Sequence, residues 1–260
     1  MLSKSKKVTS LLLTALIHAL NHGIYNMMLP LGLTITRDFQ FEEIYKIPLG
    51  FTLYLMFYGT CQIPLGFLSD RMSRKTLLSA GIILNGIAVA LVAVFHNYTF
   101  FLVGLSIAGI GGATFHPIAG AYLSDLYSES KGTALGVSGF GATIGLSAGP
   151  VIGGLLCDAT NWKFTFVVFS IVAIIVGIIF HIVAVEPEKE KNEFSGSNNG
   201  WNKYLIIFLI TAAAVFTFRE FAGWGVYYLM PVFSELKYSY TTTMSGTMLG
   251  LVSLGGFISQ

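Results

Sequence analysis

Five residues on the first long apolar stretch have side chains that could do chemistry at depth in a membrane. His18, Asn21, His22, Tyr25 and Asn26 fall within ~140° of a helical wheel turned at 100° per residue. Imidazole, amide and phenol groups on one face can bind a polar solute, relay a proton or bond a neighbouring helix. Polar groups are costly at bilayer depth and turn away from lipid, so five on one face point to a cavity wall. On the second stretch Tyr54, Tyr58 and Cys61 share a face with Gln62 at its edge, an arrangement that suits packing or ligand contact. The fourth carries a narrow stripe of Gly109, Ala113, His116 and Gly120, with one imidazole. The seventh carries Arg219 and Glu220. Adjacent residues do not face each other on a helix, so each needs a partner on another span, water or a solute. Tyr227 and Tyr228, with Trp224, read as an aromatic belt at the membrane interface.

These residues sit in a chain of 260 residues that is 54% hydrophobic and 11% charged, with a mean hydropathy of +0.71. Soluble domains carry ~25% charged residues, so a soluble enzyme is excluded. Fifteen Lys and Arg against 13 Asp and Glu leave no basic field for nucleic acid. Cys61 and Cys157 both lie in apolar runs, which implies neither a disulfide framework nor a zinc site; no metal and no cofactor is expected. Charge-free runs locate helices at about 10–33, 47–69, 76–95, 100–123, 132–157, 164–185, 204–228 and 241–260, each near the ~20 residues a bilayer requires. The strict alternation of β-barrel strands is absent. The fold class is therefore all-α, a polytopic membrane bundle.

Lys and Arg in short loops set the orientation. With the N-terminus in the cytoplasm, ten basic residues lie inside, while Arg37, Lys46, Lys163 and Lys237 lie outside. Residues 186–203 combine Pro, a mixed charge run and a Gly/Ser/Asn tract, the composition of a solvated connector. They divide a six-helix unit, 1–185, from two further helices, 204–260.

Two motifs stand out. Between spans two and three the chain reads Gly66-x-x-x-Asp70-Arg71-x-x-Arg74-Lys75. Gly66 permits close helix approach, Asp70 can meet a helix N-terminus, and the three cations anchor the loop on an anionic membrane face. Span five reads Gly141-x-x-x-Gly145-x-x-x-Gly149-Pro150-x-x-Gly153-Gly154. Glycines at i+4 make a groove for another helix backbone, and Pro150 allows a kink.

The loop motif resembles the signature of the major facilitator superfamily, with Ser73 where that family has Gly. The resemblance implies two six-helix units around a central site and a charge relay through Asp70, Arg71 and Arg74 that holds one conformer. The span-five string resembles the signature of drug:proton antiporters. Asn21-His22 and Phe115-His116-Pro117 resemble the fosmidomycin-resistance-like branch, over about residues 14–155. Leu105 stands where the family's fourth helix often carries Arg, so a relay through that Arg does not transfer.

The function expected is secondary active transport by alternating access, most simply proton-coupled efflux of a small organic solute or drug across the cell membrane. Uptake of a sugar or organic acid on the same fold, or a non-transporting receptor or scaffold, are the alternatives; a scaffold has no need of a titratable group beside a wet cavity. The partners are a small solute, protons and lipid, with a monomer expected for the full-length protein. No nucleotide-binding loop and no H-E-x-x-H appear. The chain ends where a second Pro-x-Gly and Asp-Arg loop would begin, so the reading frame is expected to continue for about four more helices. One depth match follows. His18 lies eight residues into span one, His116 eight residues from the same end of span four, each ~12 Å deep, so the two imidazoles should sit at one level. The family resemblance implies that their spans form neighbouring walls of the central cavity.

Overall fold

The computed structural model describes residues 3–188 and 202–258. Among them, six helical segments are long and apolar enough to cross a membrane. The first is a composite: α1 (Lys4–Met28), a 3₁₀ turn at Leu29–Leu31 and α2 (Gly32–Asp38). It starts six residues before the expected boundary, because the Ser3 hydroxyl accepts from the Lys6 amide and caps the helix ahead of the basic residues. There follow α3 (Lys46–Arg71), α4 (Arg74–Val94), α5 (Tyr98–Ala113), α6 (Phe115–Leu126), α7 (Lys131–Ala159), α8 (Trp162–Val183), α9 (Lys203–Tyr238) and α10 (Thr242–Ile258).

The expected single helix at 100–123 is broken in two at Thr114. Pro117 has no amide hydrogen, and its ring crowds the carbonyl four residues earlier. The Thr114 amide and hydroxyl both turn back to the Gly111 carbonyl, at 3.4 and 2.9 Å. The break puts His116 in the first turn of α6. By contrast α7 passes Pro150 unbroken. The expected seventh span ended near residue 228, yet α9 continues through Pro231 to Tyr238 and stops on Ser239 in the left-handed conformation, φ 56°.

Helices in lipid gain little from hydrophobic burial and associate through close packing instead. The span-five glycines do this. A Cβ on Gly141 would stand 2.2 Å from the Ala15 carbonyl oxygen, and one on Gly145 would stand 2.1 Å from that of Ala19. One turn further Gly149 lies against Gly23, and beyond it Gly153 lies against Met27. The α7 ridge thus runs along α1 with backbone touching backbone. The opposite edge of α7 receives α10: Gly154 meets the Thr242 carbonyl, and Gly246 meets the Pro150 carbonyl. The Asp158 carboxylate accepts from the Thr243 amide at 2.8 Å, at the start of α10.

Polar ties close the bundle at both ends. At one end Ser73 caps α4 through the Thr76 amide, 3.1 Å, so serine replaces the family's glycine with a useful cap. The Glu186 carboxylate accepts from the Arg74 and Lys75 amides at 2.9 and 3.0 Å, and from the Ser73 hydroxyl. The acid seated on the N-terminus of α4 is Glu186, the first residue of the expected linker. Arg74 pairs with Asp125 of α6 and donates to the Ala121 carbonyl at 3.2 Å. The segment leaving α8 is held by Ser10 on the Val185 amide, 3.0 Å, and by Tyr122 on the Val185 carbonyl, 2.6 Å. At the other end Asp38 accepts from Trp162 Nε1 at 2.9 Å and meets Lys163 at 3.3 Å and His96 at 3.1 Å. Residues 189–201, most of the expected linker, lie outside the described residues.

The glycine ridge yields a direct test. Gly145→Ala should destabilise the protein by about 1–3 kcal/mol, the usual cost of overpacking, because the opposing atom is backbone and cannot rotate away. Gly120→Ala, whose Cβ would meet nothing within 4 Å, should leave stability unchanged or raise it slightly. Thermal unfolding in detergent distinguishes the pair.

Candidate functional site

With α7 clamped on one side of α1, the polar residues of α1 are turned toward α3 and α6. His18 is 8% exposed. Its Nδ1 lies 2.7 Å from the Ser138 carbonyl oxygen and 3.1 Å from that residue's hydroxyl. A carbonyl only accepts, so Nδ1 carries the hydrogen and Nε2 the lone pair. That Nε2 is buried with no hydrogen-bond partner among the described residues. The His18 ring stacks on Phe115 at 4.3 Å and meets the His116 ring edge-on at 5.3 Å. The structure therefore brings together the two histidines placed at one depth by the sequence. His22 completes a triangle, 5.0 Å from His18 and 5.5 Å from His116. His18 is buried, His22 half-buried and His116 exposed.

The amides and phenols continue this wall. Asn21 donates to the Tyr58 hydroxyl at 3.4 Å, and Tyr58 meets His116 ring to ring at 5.9 Å. Tyr54 is 1% exposed and accepts from Asn85 of α4 at 3.0 Å. Asn85 went unnoticed in the sequence; a lone amide in an otherwise apolar span is the signal that could have found it. Asn26 donates to the His22 carbonyl at 2.9 Å and accepts from the Tyr227 hydroxyl at 3.3 Å. Tyr227 also bonds Ser253 of α10 at 2.9 Å, and the Tyr228 ring lies 5.9 Å from that of Tyr25. These two tyrosines are half-buried against the polar face of α1, a protein contact that the expectation of an interfacial belt did not include. A tyrosine has an apolar body and a polar tip, and here the tip finds protein rather than headgroups. The side chains of Trp224, Arg219 and Glu220 lie outside the described residues.

Beyond Tyr25, toward the Asp38 end, the wall opens into a cavity of about 280 Å³. Tyr25, Leu29, Leu33 and Thr36 line one side, Pro48, Phe51 and Leu55 of α3 the second, and Tyr228 and Val232 of α9 the third. The site thus has an apolar chamber at one level and a nitrogen-rich floor at the next, joined by Tyr25 and Tyr54, whose rings stand 5.1 Å apart. Such a mixture can hold a largely apolar molecule while a few polar groups fix its orientation. The loop residues Gly66, Asp70, Arg71, Arg74 and Lys75 lie at the other end, remote from this chamber. The span-five glycines serve packing and do not line it.

Comparison with known proteins supports this reading of the fold. Residues 11–260 match the family model described as Major Facilitator Superfamily. An MFS-type transporter of Methanocaldococcus jannaschii is 38% identical over 137 residues, covering 51% of this chain and 34% of its own. The multidrug transporter protein MdtP of Bacillus subtilis is 29% identical over 189 residues, covering 63% of this chain and 35% of its own. The chain thus spans about a third of the length of these curated relatives. Among solved structures, a bacterial homolog of the human lysosomal transporter Spinster, in an inward-facing and unoccupied conformation, superposes with a TM-score of 0.81 at 19% identity. That match covers 98% of this chain and 61% of the other. The family model spans nearly all of the chain, and the helical architecture agrees with it: this multi-pass membrane protein belongs to the Major Facilitator Superfamily.

Proposed function

We propose that the chain forms the solute-binding wall of a secondary transporter that expels a lipophilic, drug-like molecule in exchange for protons. The observation that carries this is the juxtaposition of an apolar chamber with a floor of three imidazoles. A lipophilic solute fits the chamber, where Leu, Phe and Val side chains exclude water. A sugar or a phosphonate would find few hydrogen-bond partners there. The floor supplies imidazoles, which can take up and release a proton. The drug-efflux relative supports the solute class by its name, as does the resemblance of the span-five string. The excess of Lys and Arg in alternate loops supports a cytoplasmic N-terminus, an orientation that turns the chamber toward the outside of the cell membrane.

Proton coupling requires that protonation and solute occupancy exclude one another or favour different conformers. His116 is suited to the exchange because it is the open member of the triangle, faced by His18, His22 and Tyr58. His18 is tied to the Ser138 carbonyl, which favours a positioning role. At the cytoplasmic end Asp70, Arg71, Arg74 and Lys75 form the switch loop, joined there by Asp125 and Glu186. Arg74–Asp125 bridges α4 to α6, and Glu186 fastens the α8 exit to α4. A conformer that separates these helices must break the ties.

Two outcomes follow. His116→Ala should abolish solute flux driven by an imposed pH gradient in proteoliposomes, while His18→Ala weakens it less; full coupling in His116→Ala would contradict the proton role. Asp125→Asn, or Asp70→Asn, should shift the balance of inward and outward conformers without preventing insertion. Cysteine accessibility from the two sides of the membrane reads that balance, and an unchanged pattern in both variants would remove the loop from the switch.

A further inference from the structure

The triangle of imidazoles has a second capacity. One ring nitrogen from each of His18, His22 and His116 lies within 4.8 Å of the others. A zinc-class ion bound at ~2.0–2.1 Å to each nitrogen requires them ~3.3 Å apart, so ring rotations that draw the nitrogens up to about 1.5 Å closer complete the set. His18 and His22 are one helical turn apart, the i, i+4 spacing that puts two imidazoles on one face toward a shared ion. His116 enters from α6 because the chain breaks at Thr114. We propose that these three histidines form a binding site for one divalent first-row transition-metal cation of the zinc and cobalt class.

His18 supports this most strongly. A metal-bound histidine commonly gives its other ring N–H to a carbonyl, which fixes the tautomer and aims the lone pair. The Ser138 carbonyl does this to Nδ1 at 2.7 Å. The lone pair on Nε2 is left buried and without a hydrogen-bond partner among the described residues. A buried acceptor with nothing to accept is costly, and a cation satisfies it. The ligand set is nitrogen only, which favours zinc, cobalt, nickel or copper over magnesium and calcium, since those demand oxygen. Three protein ligands leave a fourth position for water or a donor atom of a solute. Neutral imidazoles do not offset the double charge, so binding should be reversible rather than structural. The two cysteines, both in apolar runs, give no sign of this site. The third ligand lies about a hundred residues from the first two, and only the fold shows that it joins them.

The inference goes beyond the proposed efflux function and does not depend on it, because the readout is binding and not transport. Zn²⁺ or Co²⁺ alone is titrated into the purified chain in detergent by calorimetry, with the visible absorption of Co²⁺ reporting imidazole ligation. One ion per chain is expected, with no response to Mg²⁺ or Ca²⁺. His22→Gln and His116→Gln, which retain polar bulk, should each weaken binding at least about tenfold. His96→Ala, an imidazole outside the triangle, should not. No binding by the wild-type chain overturns the proposal, as does binding that survives in a variant with all three histidines replaced by Gln. A transporter that moves its solute yet binds no metal refutes this site and leaves the efflux reading intact.

Discussion

The contact between the α7 glycines and the α1 backbone is the constraint on which the rest of the structure depends. Lipid offers helices no hydrophobic reason to associate, so the stability of the pair comes from the many dispersion contacts of surfaces without side chains between them. Gly141 and Gly145 set carbonyls of α1 where a methyl group would have to stand. That approach fixes the rotation of α1 about its own axis. Once one face of α1 is taken by α7, the face carrying His18, Asn21, His22 and Tyr25 has to turn toward α3 and α6. The same helix α7 then lays its other edge on α10 through Gly154 and the Pro150 carbonyl. One glycine-rich helix thereby links the polar wall to the segment beyond residue 202.

The break at Thr114 does the complementary work for the opposite wall. It ends α5 after the glycines that pack on α3 and α4, and restarts the chain with His116 in a first turn. A straight helix would have to satisfy Pro117 within its hydrogen-bond ladder. The Gly111 carbonyl takes the Thr114 donors instead, and the imidazole reaches the level of His18. The site is therefore made by two packing devices rather than by the histidines themselves: a close-contact ridge that aims one helix and a proline break that aims another.

How much of this was legible depended on whether the cause was local. The charge-free runs pointed to eight spans because a bilayer imposes length on sequence directly. The first six correspond to the six helical segments long and apolar enough to cross it among the described residues. Glycines at i+4 announced a packing face, and the wheel of span one announced a polar wall. The matching depth of His18 and His116 followed from counting residues along antiparallel helices. Pairings between distant segments left no such mark. Asp125 and Glu186, which hold the end of α4, resemble ordinary loop acids in the sequence. The contacts of Tyr227 and Tyr228 with α1 were not legible, because an amphipathic ring suits a membrane interface and a protein cavity equally well. The extension of α9 past residue 228 was hidden by Pro231, a residue that ordinarily ends or kinks a helix, and by the charges of Glu235 and Lys237 beyond it.

The central claim is that this packing brings three of the five histidines into one cluster. Magic-angle-spinning NMR of the membrane-reconstituted protein, with only histidine labelled by ¹³C and ¹⁵N, tests it most directly. The account predicts through-space imidazole correlations among His18, His22 and His116, with the His18 hydrogen on Nδ1, and none from these three to His96 or His181. Histidine signals without mutual correlations, or a His18 ring with its hydrogen on Nε2, would contradict it.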